Sequence, residues 1–320
     1  MTQPTQSSTE PQDQHEIPNT SRSPKDYGVL LLKGFAMGSF DIVPGVSGGT
    51  MALILGIYRE LIESIRALGQ PPFLGAVFRF KFAEAIKHVN WRFLLTLGAG
   101  IALAVFTLAN LLEHLLGTQA TYVWSFFFGL IAASVITVSA RVRRWHASIV
   151  AAFAFGAVFA FFLVGLTPAQ TPESTLFLMF SGALAVCALI LPGISGAFIL
   201  VLLGKYTYVL GALSSLNIPV ILAVGFGAVV GLVSFTQVLG WLFRRFPDLT
   251  IALLCGFMLG SLRKVWPFKE GTTLELAEGL GVNTLPPLSV EFVFALLLAA
   301  LGFGLVYLID GPSSSKSRLQ

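Results

Sequence analysis

"DIVPGVSGGTMALILGIY" (Asp41–Tyr58) packs Pro44 and three glycines into six residues and then runs into apolar sequence. Proline and consecutive glycines are turn chemistry, whereas the flanks have the composition of a bilayer interior. The same combination returns in "ALILPGISGAFILVLLGKY" (Ala188–Tyr206). With no gap and an offset of 148 residues, Pro44 meets Pro192, Gly45 meets Gly193, Ser47 meets Ser195, Gly48 meets Gly196, Gly56 meets Gly204 and Tyr58 meets Tyr206. Shared richness in Leu and Gly does not align Pro, Ser and Tyr in this way. The element is therefore an internal repeat.

The surrounding chain sets the solvent. Of its 320 residues, 55% are hydrophobic and only 11% are charged, far below the charge of a soluble protein of this size. Stretches long enough to span a bilayer recur: 91–116, 119–140, 147–167, 218–242, 249–265 and 290–310. The class is an all-α polytopic membrane protein; the ten-residue alternation of a β-barrel is absent. The two broken stretches, 28–66 and 175–213, have arms such as 28–43 and 50–66. Each arm reaches roughly 24–26 Å, less than the roughly 30 Å of the hydrocarbon core. Each stretch is thus expected to be a re-entrant hairpin of two half-helices. The alternative is two tilted spans per stretch, ten in all.

The next two spans repeat at an offset of 127, with Gly98 on Gly225, Gly100 on Gly227, Gly129 on Gly256 and Ser134 on Ser261. The unit is a hairpin followed by three spans, at about 28–167 and again at about 175–310. Three crossings invert the second copy, and inverted repeats built on broken helices are a secondary-transporter architecture. Residues 27–310 form one transmembrane domain. The polar stretches 1–26 and 311–320 cannot bury a core and are expected to be disordered tails.

Lys and Arg set the orientation. The N-terminal side collects 14 of them and the other side three, Arg263, Lys264 and Lys269. The N- and C-termini are therefore expected in the cytosol, and the net charge of +4 is an anchoring charge that implies no nucleic-acid partner. Residues 71–90 alternate Leu74, Phe78, Phe82 and Ile86 with Arg79, Lys81 and Lys87, which suggests an amphipathic helix on the inner leaflet. Membrane lipids are its expected partner.

Irregular backbone survives at membrane depth only where protein buries it or where it lines a polar cavity. Half-helices starting at Gly48 and Gly196 would aim their N-terminal ends into that space, with Ser47, Ser195 and Thr50 supplying hydroxyls and Gly49 leaving the backbone open. The fitting guest is an anion, phosphate above all. Arg59 and Lys205, inside the hairpins, are candidate partners for it. Asp41 stands where the second copy has Leu189, so it is a candidate coupling residue: protonated it tolerates an anion, and ionised it repels one.

"KGFAMGSFDIVPGVSGGTMALILGIY" and "LPGISGAFILVLLGKY" resemble the paired motifs of the bacterial polyprenyl-phosphate transporter family. The resemblance covers about residues 28–310. It implies a plasma-membrane flippase that returns undecaprenyl phosphate to the inner leaflet for envelope polymer synthesis, without catalytic residues, cofactor or metal. It marks Asp41, Pro44, Gly45, Ser47, Gly48, Gly49, Thr50, Gly56 and Tyr58 in the first motif. In the second it marks Pro192, Gly193, Ser195, Gly196, Gly204 and Tyr206. The chain departs from the family pattern at Arg59, Lys205 and Thr207. The physics suits such cargo: the tail dissolves in lipid, and only the charged head needs a path.

Two rivals compete. A carrier or channel for a small soluble anion would share the repeat, but a wide aqueous path needs more polar residues in the spans than Asn110 and Gln237. An intramembrane serine protease would use one of the Gly-x-Ser-Gly serines; none of His15, His88, His114 and His146 sits where a base is required.

Overall fold

A computed structural model describes residues 22–277, 281–286 and 288–310. Of the tails expected at 1–26 and 311–320, residues 1–21 and 311–320 lie outside the described residues. The first helix starts earlier than the expected end of the tail. Ser23 caps it, its hydroxyl accepting the Asp26 N–H while the Asp26 carboxylate accepts the Ser23 N–H, and Pro24 fits the first turn.

In chain order, α1 (Pro24–Asp41) precedes the first break, α2 (Gly48–Ile54) and α3 (Tyr58–Arg66). Next come α4 (Pro71–Phe78), α5 (Phe82–Lys87), α6 (Trp91–Thr118), α7 (Ala120–Ser139) and α8 (Ala147–Leu163). Then α9 (Thr175–Ile190) leads to the second break, α10 (Gly196–Leu202) and α11 (Tyr206–Ser214). The chain continues through α12 (Ile218–Arg245), α13 (Pro247–Ser261), a two-residue strand pair enclosing α14 (Thr273–Ala277), and α15 (Val290–Asp310). Among the described residues, four helices, α6, α7, α12 and α15, are long and apolar enough to cross a membrane; α8, α9 and α13 are apolar but shorter.

Two further details differ from the sequence expectation. The arm after each break is two helices rather than one, because Gly56 (φ 70°) and Gly204 (φ 62°) turn the chain again, and α10 and α11 meet at 109°. The expected amphipathic helix over 71–90 is also two pieces, α4 and α5. Phe80 adopts φ 57° between them, leaving Phe78, Phe80 and Phe82 exposed.

The same packing occurs twice. α1 packs along α6, and α9 packs along α12; α7 lies against α15, and α8 against α13. Small residues permit these approaches. A Cβ on Gly100 would strike the Leu31 carbonyl, and one on Gly227 the Met179 carbonyl. A Cβ on Gly156 would strike the Leu253 carbonyl, and one on Gly302 the Phe126 carbonyl. Without a hydrophobic drive between lipid-soluble helices, such close backbone contact is what holds them together. α7 is the central helix, with Trp124, Phe127, Leu130, Ile131 and Ser134 buried. The outer faces of α6, α12 and α15 expose Phe106, Phe226 and Leu308, as a lipid-covered surface requires.

Gly100→Leu and Gly227→Leu should each lower the thermal stability of the detergent-solubilised protein by several degrees, as expected for overpacking costs of about 1–3 kcal/mol or more. Gly98→Leu, at a position with open space around it, should melt like the wild type. Equal melting of all three would contradict the close helix contacts.

Candidate anion site at the two helix breaks

Each break starts with a proline and a glycine in the left-handed region, Gly45 at φ 85° and Gly193 at φ 83°. L-residues rarely adopt that conformation, so glycine is required there. The breaks bring the two halves of the chain into contact. α9 ends with carbonyls that no helical N–H can reach. The Ser47 hydroxyl is 3.0 Å from the Leu189 carbonyl and 3.1 Å from that of Leu191, donating in a shared bond. The Tyr58 hydroxyl donates to the Ile190 carbonyl at 3.2 Å. In return, Thr50 Oγ1 accepts the Gly193 N–H at 3.0 Å. Gly49 lets the tips close, since a Cβ there would collide with the Ile190 carbonyl.

The start of α2 is closed from within. Asp41 Oδ1 accepts the Gly48 N–H at 2.6 Å, and Ser47 Oγ accepts the Gly49 N–H at 3.1 Å. The expected free N–H groups at Gly48 and Gly49 are thus already bonded. The end of α2 is held by cations. Arg141 donates to the Leu53 and Ile54 carbonyls and Lys33 to that of Leu55, at 2.9–3.1 Å, where positive charge suits a helix C-terminus.

The second tip differs. Ser195 heads α10 without a side-chain capping bond. It lines a cavity of about 180 Å³, bounded by Asp41, Ile42, Pro44 and Gly45 of the first break, Ala197, Phe198 and Val201 of α10, Tyr206, and Lys264. Gly196 packs its backbone toward the Ala185 carbonyl of α9. Lys205 points away from the cavity: its Nζ donates to the Thr171 carbonyl at 2.7 Å and lies over the rings of Phe177 and Tyr208. Arg59 is exposed at the start of α3. Neither cation lines the cavity.

Lys264 does, although its place at the end of an apolar stretch counts it among the loop cations that orient the chain. It is buried, with its Nζ 4.4 Å from the centroid of the Phe198 ring. The signal was available, because at the 127-residue offset Lys264 falls on Thr137, three residues past the Ser134–Ser261 match. Loop charge counting hid it.

The two halves also differ beyond the tips. α3 is docked on α12, with Glu63 bridging Arg66 and Arg244 and the Gln237 amide donating to the Arg66 carbonyl at 2.8 Å. α11 has no comparable contact with α6. Gln237 therefore works as a helix-to-helix tie, completed by Gln70. A protease is not supported by this geometry. The Ser47 hydroxyl is committed to carbonyls and a peptide N–H, and the cavity lining contains no histidine.

Ser47→Ala should destabilise the protein by about 1–3 kcal/mol, because it strips buried carbonyls of their donor. Ser195→Ala should leave the melting temperature within a degree or two. Thermal unfolding in detergent measures both, and equal effects would contradict the asymmetry of the tips.

Comparison with known proteins identifies the family. The VCA0040-like family model, described as undecaprenyl phosphate translocase-like, matches residues 37–280. A polyprenyl-phosphate transporter of Vibrio cholerae is 45% identical over 246 residues, 77% of this chain and 79% of that protein. One of Staphylococcus aureus is 33% identical over 258 residues, 75% of this chain and 86% of that protein. No solved structure matches. With both helix breaks and the cavity between them inside the matched region, the chain belongs to the undecaprenyl phosphate translocase-like family.

Proposed function

We propose that the chain is a flippase for polyprenyl phosphate, undecaprenyl phosphate in particular, and that it carries the phosphate head group at the helix breaks while the tail stays in lipid. The observation that carries this proposal is the cavity. Acidic, basic and hydroxyl side chains converge there inside an otherwise apolar bundle, and such groups are costly at that depth unless they serve a ligand or each other. Family membership and the names of the two relatives support the cargo.

The paired packing of α1 on α6 and α9 on α12 supports two repeats, 28–167 and 175–310. With three spans per repeat, the second is inverted. The Lys and Arg distribution supports cytosolic termini in a bacterial plasma membrane. In this orientation the docked α3–α12 contact closes the cytosolic side, and the cavity beside α10 faces outward. Exchanging that contact for one between α11 and α6 would present the same cavity to the inside, the logic of alternating access.

Asp41 couples the cycle to protons in this proposal. Its ionised form repels a phosphate sharing the cavity, and its protonated form tolerates one. Asn at this position retains an oxygen to accept the Gly48 N–H and removes the charge, so the fold is kept. In proteoliposomes with labelled polyprenyl phosphate in the outer leaflet, wild-type transport should vary with pH and Asp41→Asn transport should not, with rates differing by about tenfold at one end of the range. Matching pH profiles and rates would remove Asp41 from the cycle. Absence of lipid movement by the wild type would remove the flippase itself. Single cysteines at Ser174 and Asn283 should react with an impermeant thiol reagent from outside, and one at Ala140 should not; the reverse pattern would overturn the orientation.

A further inference from the structure

We infer that Lys264 is the residue that recognises the head group, and that the site it completes selects a phosphate monoester carrying an apolar tail. This rests on the flippase proposal and adds a ligand residue to it. Lys264 follows α13, far in sequence from both breaks, yet its side chain lies along the first one. A Cβ built on Gly45 would fall 2.8 Å from Lys264 Cγ and 3.0 Å from Cε. The first break therefore does two things with one glycine: it makes the left-handed turn and leaves a channel for the lysine stem.

Three other cations of the breaks and their surroundings lie outside the cavity lining. Lys33 and Arg141 hold the end of α2, and Lys205 holds the Thr171 carbonyl. Lys264 is the basic residue among those lining the cavity. Its ammonium lies over Phe198, a contact of about 0.5–2 kcal/mol. A phosphate oxygen would give a stronger, charge-assisted bond from the same place. An ammonium is a compact point charge that engages an oxyanion from many directions, which suits a head group that must enter and leave. Ser195 and Tyr206 add hydroxyl-bearing side chains to the lining, and Ile42, Phe198 and Val201 give an apolar wall for the first carbons of a tail.

The decisive experiment pairs binding with transport for wild type, Lys264→Arg, Lys264→Gln and Lys264→Met. Farnesyl phosphate, inorganic phosphate and farnesol serve as probes, and ligand-induced shift in melting temperature in detergent is the binding readout. Farnesyl phosphate should stabilise the wild type and Lys264→Arg, and inorganic phosphate and farnesol should do so at least tenfold more weakly by concentration. For Lys264→Gln and Lys264→Met, shifts are read against each variant's own melting temperature without ligand. A purely structural lysine would change that temperature and leave the farnesyl phosphate concentration for a given shift as in the wild type. Both variants should need at least tenfold more farnesyl phosphate for the same shift, and should move labelled polyprenyl phosphate at least tenfold more slowly in proteoliposomes. Wild-type binding and transport by Lys264→Met would overturn the inference and leave the flippase proposal standing. Equal binding of inorganic and farnesyl phosphate would overturn the selection for a tailed ligand. Absence of lipid transport by the wild type would overturn both proposals.

Discussion

Inside an apolar bundle, a broken helix exposes backbone groups that no water can reach, and every one of them needs a partner from the protein. The rest of this structure follows from how that requirement is met. α9 ends in three carbonyls, at Leu189, Ile190 and Leu191, that receive hydroxyls from Ser47 and Tyr58, which lie more than 130 residues earlier in the chain. The Gly193 N–H goes to Thr50. The two breaks are therefore mutually dependent. Residues that appear in the sequence as a binding motif spend much of their hydrogen-bonding capacity holding the tips together.

That debt is settled unequally. Asp41 and Ser47 close the first tip, whereas Ser195 at the second is left uncapped beside a cavity. Away from the tips the imbalance repeats, with α3 locked to α12 through Glu63, Arg66, Arg244 and Gln237, and α11 standing off α6. The unequal bonding is the physical basis of the proposed two-sided access.

Much of this was legible in the sequence, because the constraints involved are local. Composition and span length give the helical membrane class, and the aligned Pro, Gly, Ser and Tyr locate both breaks to the residue. Gly45, Gly193, Gly56 and Gly204, matched by offset alone, are the four glycines that adopt positive φ among the described residues. The secondary turns at Gly56 and Gly204 were missed because apolar sequence continues through them. The commitments of the cations were also hidden. Lys205 and Arg59 sit inside the motifs but outside the cavity, and Lys264 sits outside the motifs but in the cavity lining. Side-chain direction across a tertiary contact is set by packing, and a single sequence carries little record of it.

The central claim is that the phosphate head crosses at the helix breaks while the tail remains in lipid, so no continuous aqueous pore is needed. Leaflet accounting tests it most directly. Proteoliposomes would carry labelled undecaprenyl phosphate in the outer leaflet and a soluble phosphate label outside, and both would be followed in the same vesicles. The account predicts that the lipid equilibrates between leaflets at a rate proportional to protein, while the soluble anion stays outside. Entry of the soluble phosphate with no movement of the lipid would contradict it.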